Sequence, residues 1–170
     1  MIHLVLGGTR SGKSAYAEGR LGLLAPPHAY IATWIPDSDD VSMTDRIEGH
    51  RRRRSARWAV HEIQTAAELA PLLAGLDGSV MVDGLGTWLA AGPVPADEDR
   101  VIEALHGRSA RGAATIVVSE EVGSSLHAPT AVGRAFVDRL GLFNQAVAAV
   151  AHRVTLVVAG RPLELGAAAT

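Results

Sequence analysis

A glycine-rich stretch near the start of the chain, residues 7–14 with the sequence Gly-Gly-Thr-Arg-Ser-Gly-Lys-Ser, constrains the fold more than any other feature. It follows the apolar run 2–6 and precedes a segment, 15–24, with the pattern of a helix. The motif G-x-x-x-x-G-K-[ST] between a strand and a helix is typical of a phosphate-binding loop. Its glycines let successive backbone N–H groups point at a phosphate, and the following helix adds the positive end of its dipole. The stretch therefore predicts a triphosphate-binding loop.

Two side chains of this loop are expected to act on the nucleotide directly. Lys13 would reach the β- and γ-phosphates, and the Ser14 hydroxyl would hold Mg²⁺. Lys13 is also the only lysine of the chain, at a position that suits a compact ammonium better than a planar guanidinium. The candidate nucleotide-binding residues are Gly7, Gly8, Thr9, Arg10, Ser11, Gly12, Lys13 and Ser14.

Length and composition limit the kinds of protein this can be. We expect the 170 residues to form one nucleotide-binding domain, with 166–170 frayed. A net charge of -2 and 48% hydrophobic residues exclude a disordered chain and a generally basic nucleic-acid binder. The absence of cysteine excludes a thiolate nucleophile. No apolar run approaches the roughly 18 residues needed to span a bilayer, so we expect a cytoplasmic protein without a membrane span.

Apolar runs and helical patterns alternate along the chain, which is typical of a mostly parallel sheet with helices on both faces. A capping box at Thr65 and Glu68 predicts a helix that starts there. The pattern over 130–152 predicts a helix interrupted near Gly141, and Gly160 to Pro162 should end the last strand. The predicted strands are 2–6, 29–33, 58–62, 79–83, 115–119 and 154–159, and the other predicted helices are 15–24, 43–54 and 97–106.

Asp83 ends one of the apolar strands. This is the position of the second carboxylate of a phosphate site, which holds Mg²⁺ directly or through water. The alternative is an ordinary aspartate that caps the turn after the strand. Asp83 and Ser14 are therefore the candidate metal ligands.

The segment 46–58 places one histidine among many arginines. If it is helical, Arg46, His50 and Arg54 share a face, because residues four apart lie one above the other. Cationic neighbours lower the pKa of an imidazole and leave it neutral. A neutral imidazole beside phosphate-binding arginines could attack a nucleotide phosphorus. The alternative is a solvated basic face or a basic patch for nucleic acid, and the residues alone leave both open.

Several motifs together carry a family resemblance. Residues 7–14, Tyr30-Ile31-Ala32-Thr33 and the pattern Arg46-Ile47-x-x-His50-Arg51-x-x-Arg54 occur in this order. They resemble the bifunctional adenosylcobinamide kinase / adenosylcobinamide-phosphate guanylyltransferase family of cobalamin biosynthesis, and the similarity continues through 158–163. The resemblance implies a P-loop NTPase fold of the RecA-like class and a homotrimer. Glu120 departs from the family pattern, because asparagine is usual at this position.

The resemblance also implies two reactions. The chain would phosphorylate adenosylcobinamide with ATP or GTP, and would then transfer GMP from GTP to adenosylcobinamide phosphate, with release of pyrophosphate. The second transfer would pass through a guanylylated histidine, and His50 is the matching residue, so the implied catalytic residues are His50 and Lys13. The residues implied to line the guanine nucleotide site are Thr33, Trp34, Ile35, Arg52, Arg53, Arg54, Ser55, Glu62 and Asp83.

Two other functions fit parts of the sequence. A P-loop kinase for another small molecule would use the loop without forming a covalent GMP intermediate. A nucleotide-dependent nucleic-acid-binding module would place Arg51 to Arg54 on phosphates, and its affinity would fall steeply with salt. Against the second alternative, this arginine run is the one basic cluster of a chain that is otherwise acidic. We therefore expect a small-molecule substrate and no nucleic acid.

Overall fold

A computed structural model describes residues 1–33, 58–92, 94–124 and 128–166. The helix predicted over 43–54, with His50, lies outside these ranges. The strands are β1 (Ile2–Gly7), β2 (His28–Ala32), β3 (Ala59–Glu62), β4 (Ser79–Asp83), β5 (Thr115–Glu120), β6 (Arg153–Val158) and β7 (Arg161–Leu165). The helices are α1 (Lys13–Leu21), α2 (Leu69–Gly75), α3 (Leu85–Ala90), α4 (Pro95–Ala110) and α5 (Ala131–Val150), with a short 3-10 helix at Ala66–Glu68.

The strands form one sheet in the order β3-β2-β4-β5-β1-β6-β7. All neighbouring pairs are parallel except β6 and β7, which form an antiparallel hairpin. β1 lies between β5 and β6, with Leu4 opposite Val117 on one side and Val154 on the other. The prediction of a mostly parallel sheet is confirmed, and the strand that precedes the glycine-rich loop is an inner strand.

Apolar side chains pack on both faces of the sheet, as predicted. On one face, α1 contributes Ala17 and Leu21 to a cluster with Val5, Tyr30 and Val118. On the other face, α2 to α5 cover a larger cluster. Its members include Leu4, Leu73, Trp88, Leu105 and Phe143. The sheet is therefore the middle layer of three, and its strand ends are left available for a site.

Three local predictions were wrong. The chain does not stop pairing at Gly160, because Arg161–Leu165 turns back as β7 and pairs with β6. Pro162 is accommodated there because β7 is an edge strand, where a missing backbone N–H costs little. α5 continues through Gly141 without interruption. At Thr65 the chain first forms the 3-10 helix, and α2 begins only at Leu69.

The Thr65 hydroxyl explains the last difference. It donates a hydrogen bond to Glu68 Oε1 at 3.0 Å, while Glu68 Oε2 accepts one from the backbone N–H of Gln64. The glutamate thus organises the turn before the helix, and no backbone N–H of the helix uses the threonine as a cap. Elsewhere, Asp97 Oδ2 accepts a hydrogen bond from Val94 N and fixes the start of α4 two residues earlier than predicted.

None of the helices in the described ranges combines the length and the apolar character that crossing a bilayer requires.

Candidate active site at the carboxyl edge of the sheet

The carboxyl ends of the parallel strands meet at one edge of the sheet, and most of the predicted site residues lie there. The glycine-rich loop follows β1, Glu120 ends the neighbouring β5, Asp83 ends β4, and Thr33 follows β2. In open α/β sheets, ligands bind outside this edge. The strand order therefore brings together residues that are far apart in the sequence.

The loop between β1 and α1 is a tight turn. Ser11 N donates a hydrogen bond to Gly8 O at 3.2 Å, and Gly12, with a φ of 93°, precedes the first residue of α1, Lys13. The positive φ at Gly12 is one that a side chain would strain. Lys13 Nζ lies 3.4 Å from Gly8 O, so the lysine folds back over its own loop. A phosphate at this position would meet backbone N–H groups, the helix N-terminus and an ammonium.

The β6–β7 hairpin supports this loop from the side. Its turn residues Ala159 and Gly160 have φ values of 50° and 76°. Gly160 N donates a hydrogen bond to Ser11 O at 2.7 Å, and a Cβ on Gly12 would lie only 3.1 Å from Gly160 Cα. A Cβ on Gly7 would similarly meet Val157 O at 2.7 Å. The glycines at 7 and 12 are thus required by the neighbouring chain as well as by a ligand.

Ser14 and Asp83, the two candidate metal ligands, are in contact. Ser14 Oγ donates a hydrogen bond to Asp83 Oδ1 at 3.0 Å. The other carboxylate oxygen accepts a hydrogen bond from the hydroxyl of Tyr30, which is buried on β2. A hydroxyl and a carboxylate beside a phosphate loop are the oxygen ligands that Mg²⁺ prefers. The residues present therefore fit a magnesium ion, and Tyr30 is a site residue that the sequence did not single out.

Thr33 is fully buried and organises the turn after β4. Its Oγ1 lies 2.9 Å from Asp83 O, 2.5 Å from Gly84 O and 3.1 Å from the Thr87 hydroxyl. Thr87 in turn donates a hydrogen bond to Gly84 O at 2.7 Å. The two threonines hold the backbone that carries Asp83, so Thr33 acts on the site through this backbone.

Glu120 is a further site residue. Its Oε1 lies 3.5 Å from Lys13 Nζ, and its Oε2 accepts a hydrogen bond from Gly86 N at 3.0 Å. In the sequence Glu120 stood out only as a departure from the family pattern. Its place next to the loop depends on β5 lying between β1 and β4, which an isolated strand pattern does not reveal.

A buried histidine connects β1 to the hairpin. His3 Nε2 lies 2.8 Å from Thr155 Oγ1, and the Thr155 hydroxyl donates a hydrogen bond to Glu164 Oε1 at 2.8 Å. Because that hydroxyl donates its single proton to Glu164, His3 must carry a proton on Nε2, and in the neutral form its Nδ1 is then unprotonated. Burial lowers the pKa of His3 from 6.5 to about 4, which favours this neutral form.

The family comparison decides what this site belongs to. Residues 3–165 match the family described as cobinamide kinase / cobinamide phosphate guanyltransferase. The chain belongs to this family. It is therefore an enzyme of the kinase and nucleotidyltransferase class, and the family resemblance predicted from its motifs is confirmed.

Curated relatives of the cobinamide kinase / guanyltransferase family match nearly end to end. The chain is 35% identical to the bifunctional adenosylcobalamin biosynthesis protein CobP of Pseudomonas aeruginosa, over 97% of each chain. It is 32% identical to the corresponding protein CobU of Salmonella typhimurium, over 94% of this chain and 97% of that one. It is 33% identical to CobU of Escherichia coli, with the same coverage.

A solved structure shows the fold independently of this family. The flagellar accessory protein FlaH from Methanocaldococcus jannaschii superimposes with a TM-score of 0.51 at 12% identity, over 91% of this chain and 70% of that one. At this identity the likeness concerns the fold alone. Together with the sheet and its loop, it confirms the predicted P-loop NTPase fold of the RecA-like class.

Not every predicted site residue of this family member lies beside the loop. Glu62 ends the edge strand β3, four strand positions from β1. At about 4.8 Å per position this is roughly 19 Å from the loop. A nucleotide with its phosphates on the loop would have to extend across β5, β4 and β2 to reach it. The predicted residues that lie outside the described ranges are Trp34, Ile35, His50, Arg52, Arg53, Arg54 and Ser55.

Proposed function

We propose that the chain performs both transfers expected of its family. It phosphorylates the aminopropanol hydroxyl of adenosylcobinamide with ATP or GTP, and it then transfers GMP from GTP to adenosylcobinamide phosphate, giving adenosylcobinamide-GDP and pyrophosphate. The observation that carries the proposal is the contact between Ser14 of the phosphate loop and Asp83 at 3.0 Å, in a chain that matches the family over residues 3–165.

In the first transfer, the loop binds and orients the triphosphate. The N–H groups of residues 8–13 and the start of α1 face the phosphates, and Lys13 neutralises charge on the γ-phosphoryl group. Ser14 and Asp83 would hold Mg²⁺, which supplies positive charge to the phosphates when bound. Tyr30 and the Thr33 network keep the Asp83 carboxylate and its backbone in place. Most of the catalytic effect then comes from positioning and electrostatics.

In the second transfer, His50 is proposed to attack the α-phosphorus of GTP and to carry GMP as a phosphoramidate. A neutral imidazole is required as the nucleophile, and the neighbouring arginines would favour that form and bind the phosphates. Thr33, the residue that precedes the segment 34–57, lies at the same sheet edge as the loop. It is three strand positions from β1, roughly 14 Å. Fully extended residues span about 3.3–3.6 Å each, so this segment is long enough to reach the loop.

Incubation with α-labelled GTP and Mg²⁺ tests the covalent step. We expect the wild type to retain label at about one GMP per chain, in a linkage that is labile to acid and stable to base, as a phosphoramidate is. His50→Ala should retain none. His106→Ala is the matched control, since His106 is exposed on α4, and it should label like the wild type.

If His50→Ala retained as much label as the wild type, the proposed intermediate on His50 would be refuted. An unlabelled wild type that still transfers γ-phosphoryl groups would favour the single-activity kinase.

We further propose that the enzyme acts in the cytoplasm as a homotrimer on a small corrinoid substrate. An apolar surface on the edge hairpin supports self-association: Val158 is 59% exposed and Leu163 is 58% exposed, on two paired strands. Light scattering should give about three times the 17.8 kDa chain mass. A measured mass equal to that of a single chain would refute the proposed trimer but would not affect the assignment of the reactions.

A further inference from the structure

Glu120 occupies a position between the two parts of the phosphate site. It ends β5, the strand that separates β1 with its loop from β4 with Asp83. Its Oε1 lies 3.5 Å from Lys13 Nζ, and this ammonium is expected to contact the γ-phosphate. One carboxylate oxygen is thus held close to the place where the transferred phosphoryl group would lie.

Contacts on both sides fix the orientation of this carboxylate. Oε2 accepts a hydrogen bond from Gly86 N at 3.0 Å, and the Glu120 backbone carbonyl accepts one from Asn144 Nδ2 at 3.0 Å. A Cβ on residue 86 would overlap Oε2, so a glycine is needed there for the carboxylate to approach. The Glu120 side chain is still 30% exposed. It is therefore positioned by the protein and accessible to a substrate.

The other carboxylates of the site are less suited to receive a proton from an acceptor alcohol. The two oxygens of Asp83 accept hydrogen bonds from Ser14 and from Tyr30, which directs this carboxylate towards the proposed magnesium side. Glu62 lies four strand positions from β1. A general base has to reach the hydroxyl within hydrogen-bond distance. In the part of the chain that the structure describes, Glu120 is the carboxylate that lies against Lys13.

We propose that Glu120 is the catalytic base of the phosphoryl transfer. The proposal rests on the kinase reaction proposed above. The O–H bond of the acceptor alcohol breaks, and its proton passes to Glu120 Oε1. The alcohol oxygen forms a bond to the γ-phosphorus, and the bond between this phosphorus and the β–γ bridging oxygen breaks. The nucleoside diphosphate leaves with that electron pair.

The neighbouring charges are compatible with this role. A carboxylate next to a triphosphate would repel it, but the Lys13 ammonium lies 3.5 Å from Glu120 Oε1 and would offset part of this repulsion. An amide side chain at this position could accept a hydrogen bond from the alcohol but could not take its proton. Glu120 thus gives this chain a base at a position where an amide would only orient the acceptor.

The second transfer needs no such base, which makes the proposal testable within one protein. There the proposed acceptors are a neutral imidazole and then a phosphate oxygen, and neither is an alcohol. Glu120→Gln keeps the shape of the side chain and an oxygen for Gly86 N. We expect its kcat for phosphoryl transfer from γ-labelled ATP to cobinamide to fall about 100-fold. The KM for ATP should change less than about threefold, and GMP labelling by α-labelled GTP should be unchanged.

Two further variants complete the experiment. Glu120→Asp keeps a carboxylate at a shorter reach and should transfer phosphoryl groups faster than Glu120→Gln. Glu103→Gln makes the same chemical change on the exposed surface of α4 and should match the wild type in both transfers. Retained GMP labelling shows that each variant is folded and binds nucleotide.

Three results would overturn the role of Glu120. The first is a Glu120→Gln kcat within about threefold of the wild type, since a lost base costs far more. The second is an equal loss of both transfers, which indicates a structural role. The third is a lower KM for ATP at unchanged kcat, which indicates that Glu120 merely competes with phosphate for Lys13. A wild type without any phosphoryl transfer would instead refute the kinase reaction itself, and the base with it.

Discussion

The two halves of the phosphate site are built in different ways. The phosphate loop, residues 7–14, is contiguous and forms between one strand and the helix that follows it. The carboxylate edge, which we define as Tyr30, Asp83, Gly86 and Glu120, comes from β2, β4, α3 and β5. Its members meet only because β2, β4, β5 and β1 follow one another in this order in the sheet. A local motif thus supplies the positive half of the site, and long-range topology supplies the negative half.

This difference determines how each half tolerates change. The loop depends on backbone conformation and one ammonium, so a single change there should affect every step that uses a triphosphate. Several hydrogen bonds hold the side chains of the carboxylate edge in place, and each contributes about 1 kcal/mol to the stability of this arrangement. Apart from the proposed base Glu120, single changes at this edge should therefore give smaller effects, and all changes there should be more selective between the two transfers.

The largest effect is expected for Lys13→Ala. Loss of the ammonium should lower both phosphoryl and guanylyl transfer by about 10²–10³-fold, because it acts on charge that develops on the phosphates. Thermal unfolding should change little, because the ion pair with Glu120 is partly exposed. Lys13→Arg should fail as well, since a planar guanidinium does not replace a compact ammonium. Rates near those of the wild type in either variant would refute the assignment of the loop.

The hairpin that supports the loop should make stability depend on pH. The pKa of His3 is lowered from 6.5 to about 4 in the folded chain, so the unfolded chain takes up the proton first as the pH falls. The stabilisation is complete above 6.5 and is lost as the pH falls towards 4. The loss relative to the value above pH 6.5 amounts to about 2 kcal/mol of unfolding free energy at pH 5.

Urea unfolding at several pH values measures this loss. His3→Gln should flatten the dependence between pH 6.5 and 5, because glutamine does not titrate. His106→Gln, at an exposed position of α4, should show the same pH dependence of stability as the wild type. If the unfolding free energy of the wild type and of His3→Gln changed in parallel with pH, His3 would have no part in the pH dependence.

Two glycines of the same region should respond to alanine with opposite signs. Gly12 has a φ of 93° and lies against Gly160, so Gly12→Ala should cost about 1–2 kcal/mol of stability and weaken ATP binding about tenfold. Gly19 is exposed inside α1 with open space around it, so Gly19→Ala should stabilise by about 0.5–1 kcal/mol. Equal effects in denaturant unfolding would mean that the loop conformation is not restricted as described.

The smallest effect is expected at the carboxylate edge. Tyr30→Phe removes one hydrogen bond to Asp83 and keeps the shape of the core. The Mg²⁺ concentration for half-maximal phosphoryl transfer should rise about threefold to tenfold, as expected when one hydrogen bond worth about 1 kcal/mol is lost. Tyr16→Phe makes the same change on α1, away from Asp83, and should have no effect on the Mg²⁺ dependence. A rise in Tyr16→Phe as large as in Tyr30→Phe would argue against a role for Tyr30 in holding Asp83.

The sequence predicted the parts of the fold that depend on local pattern. The loop motif, the apolar strands and the alternation of strands with helices each act within a few neighbouring residues, and the structure confirms them. Asp83 was recognised because it ends an apolar run. Its contact with Ser14 then follows from the strand order.

The parts that were missed depend on contacts between distant residues. Nothing near Tyr30 or Glu120 in the sequence indicates that they lie at the same edge of the sheet, because this requires the order β2-β4-β5-β1. The seventh strand was missed because Pro162 is unfavourable in most strands, and only its edge position makes it acceptable. The sequence pattern predicts a break in the helix at Gly141, but a single glycine destabilises a helix by only about 1 kcal/mol. Packing of Leu140 and Phe143 in the core offsets this cost.

The hydrogen bond from Gly160 to Ser11 also bears on when a newly made chain becomes able to bind nucleotide. β1 is synthesised before both of its partners in the sheet and before the turn that braces its loop. Until the β6–β7 turn is made, the loop lacks the hydrogen bond from Gly160, so we expect the nascent chain to bind nucleotide weakly. Ligand capture is in this way tied to the synthesis of the hairpin.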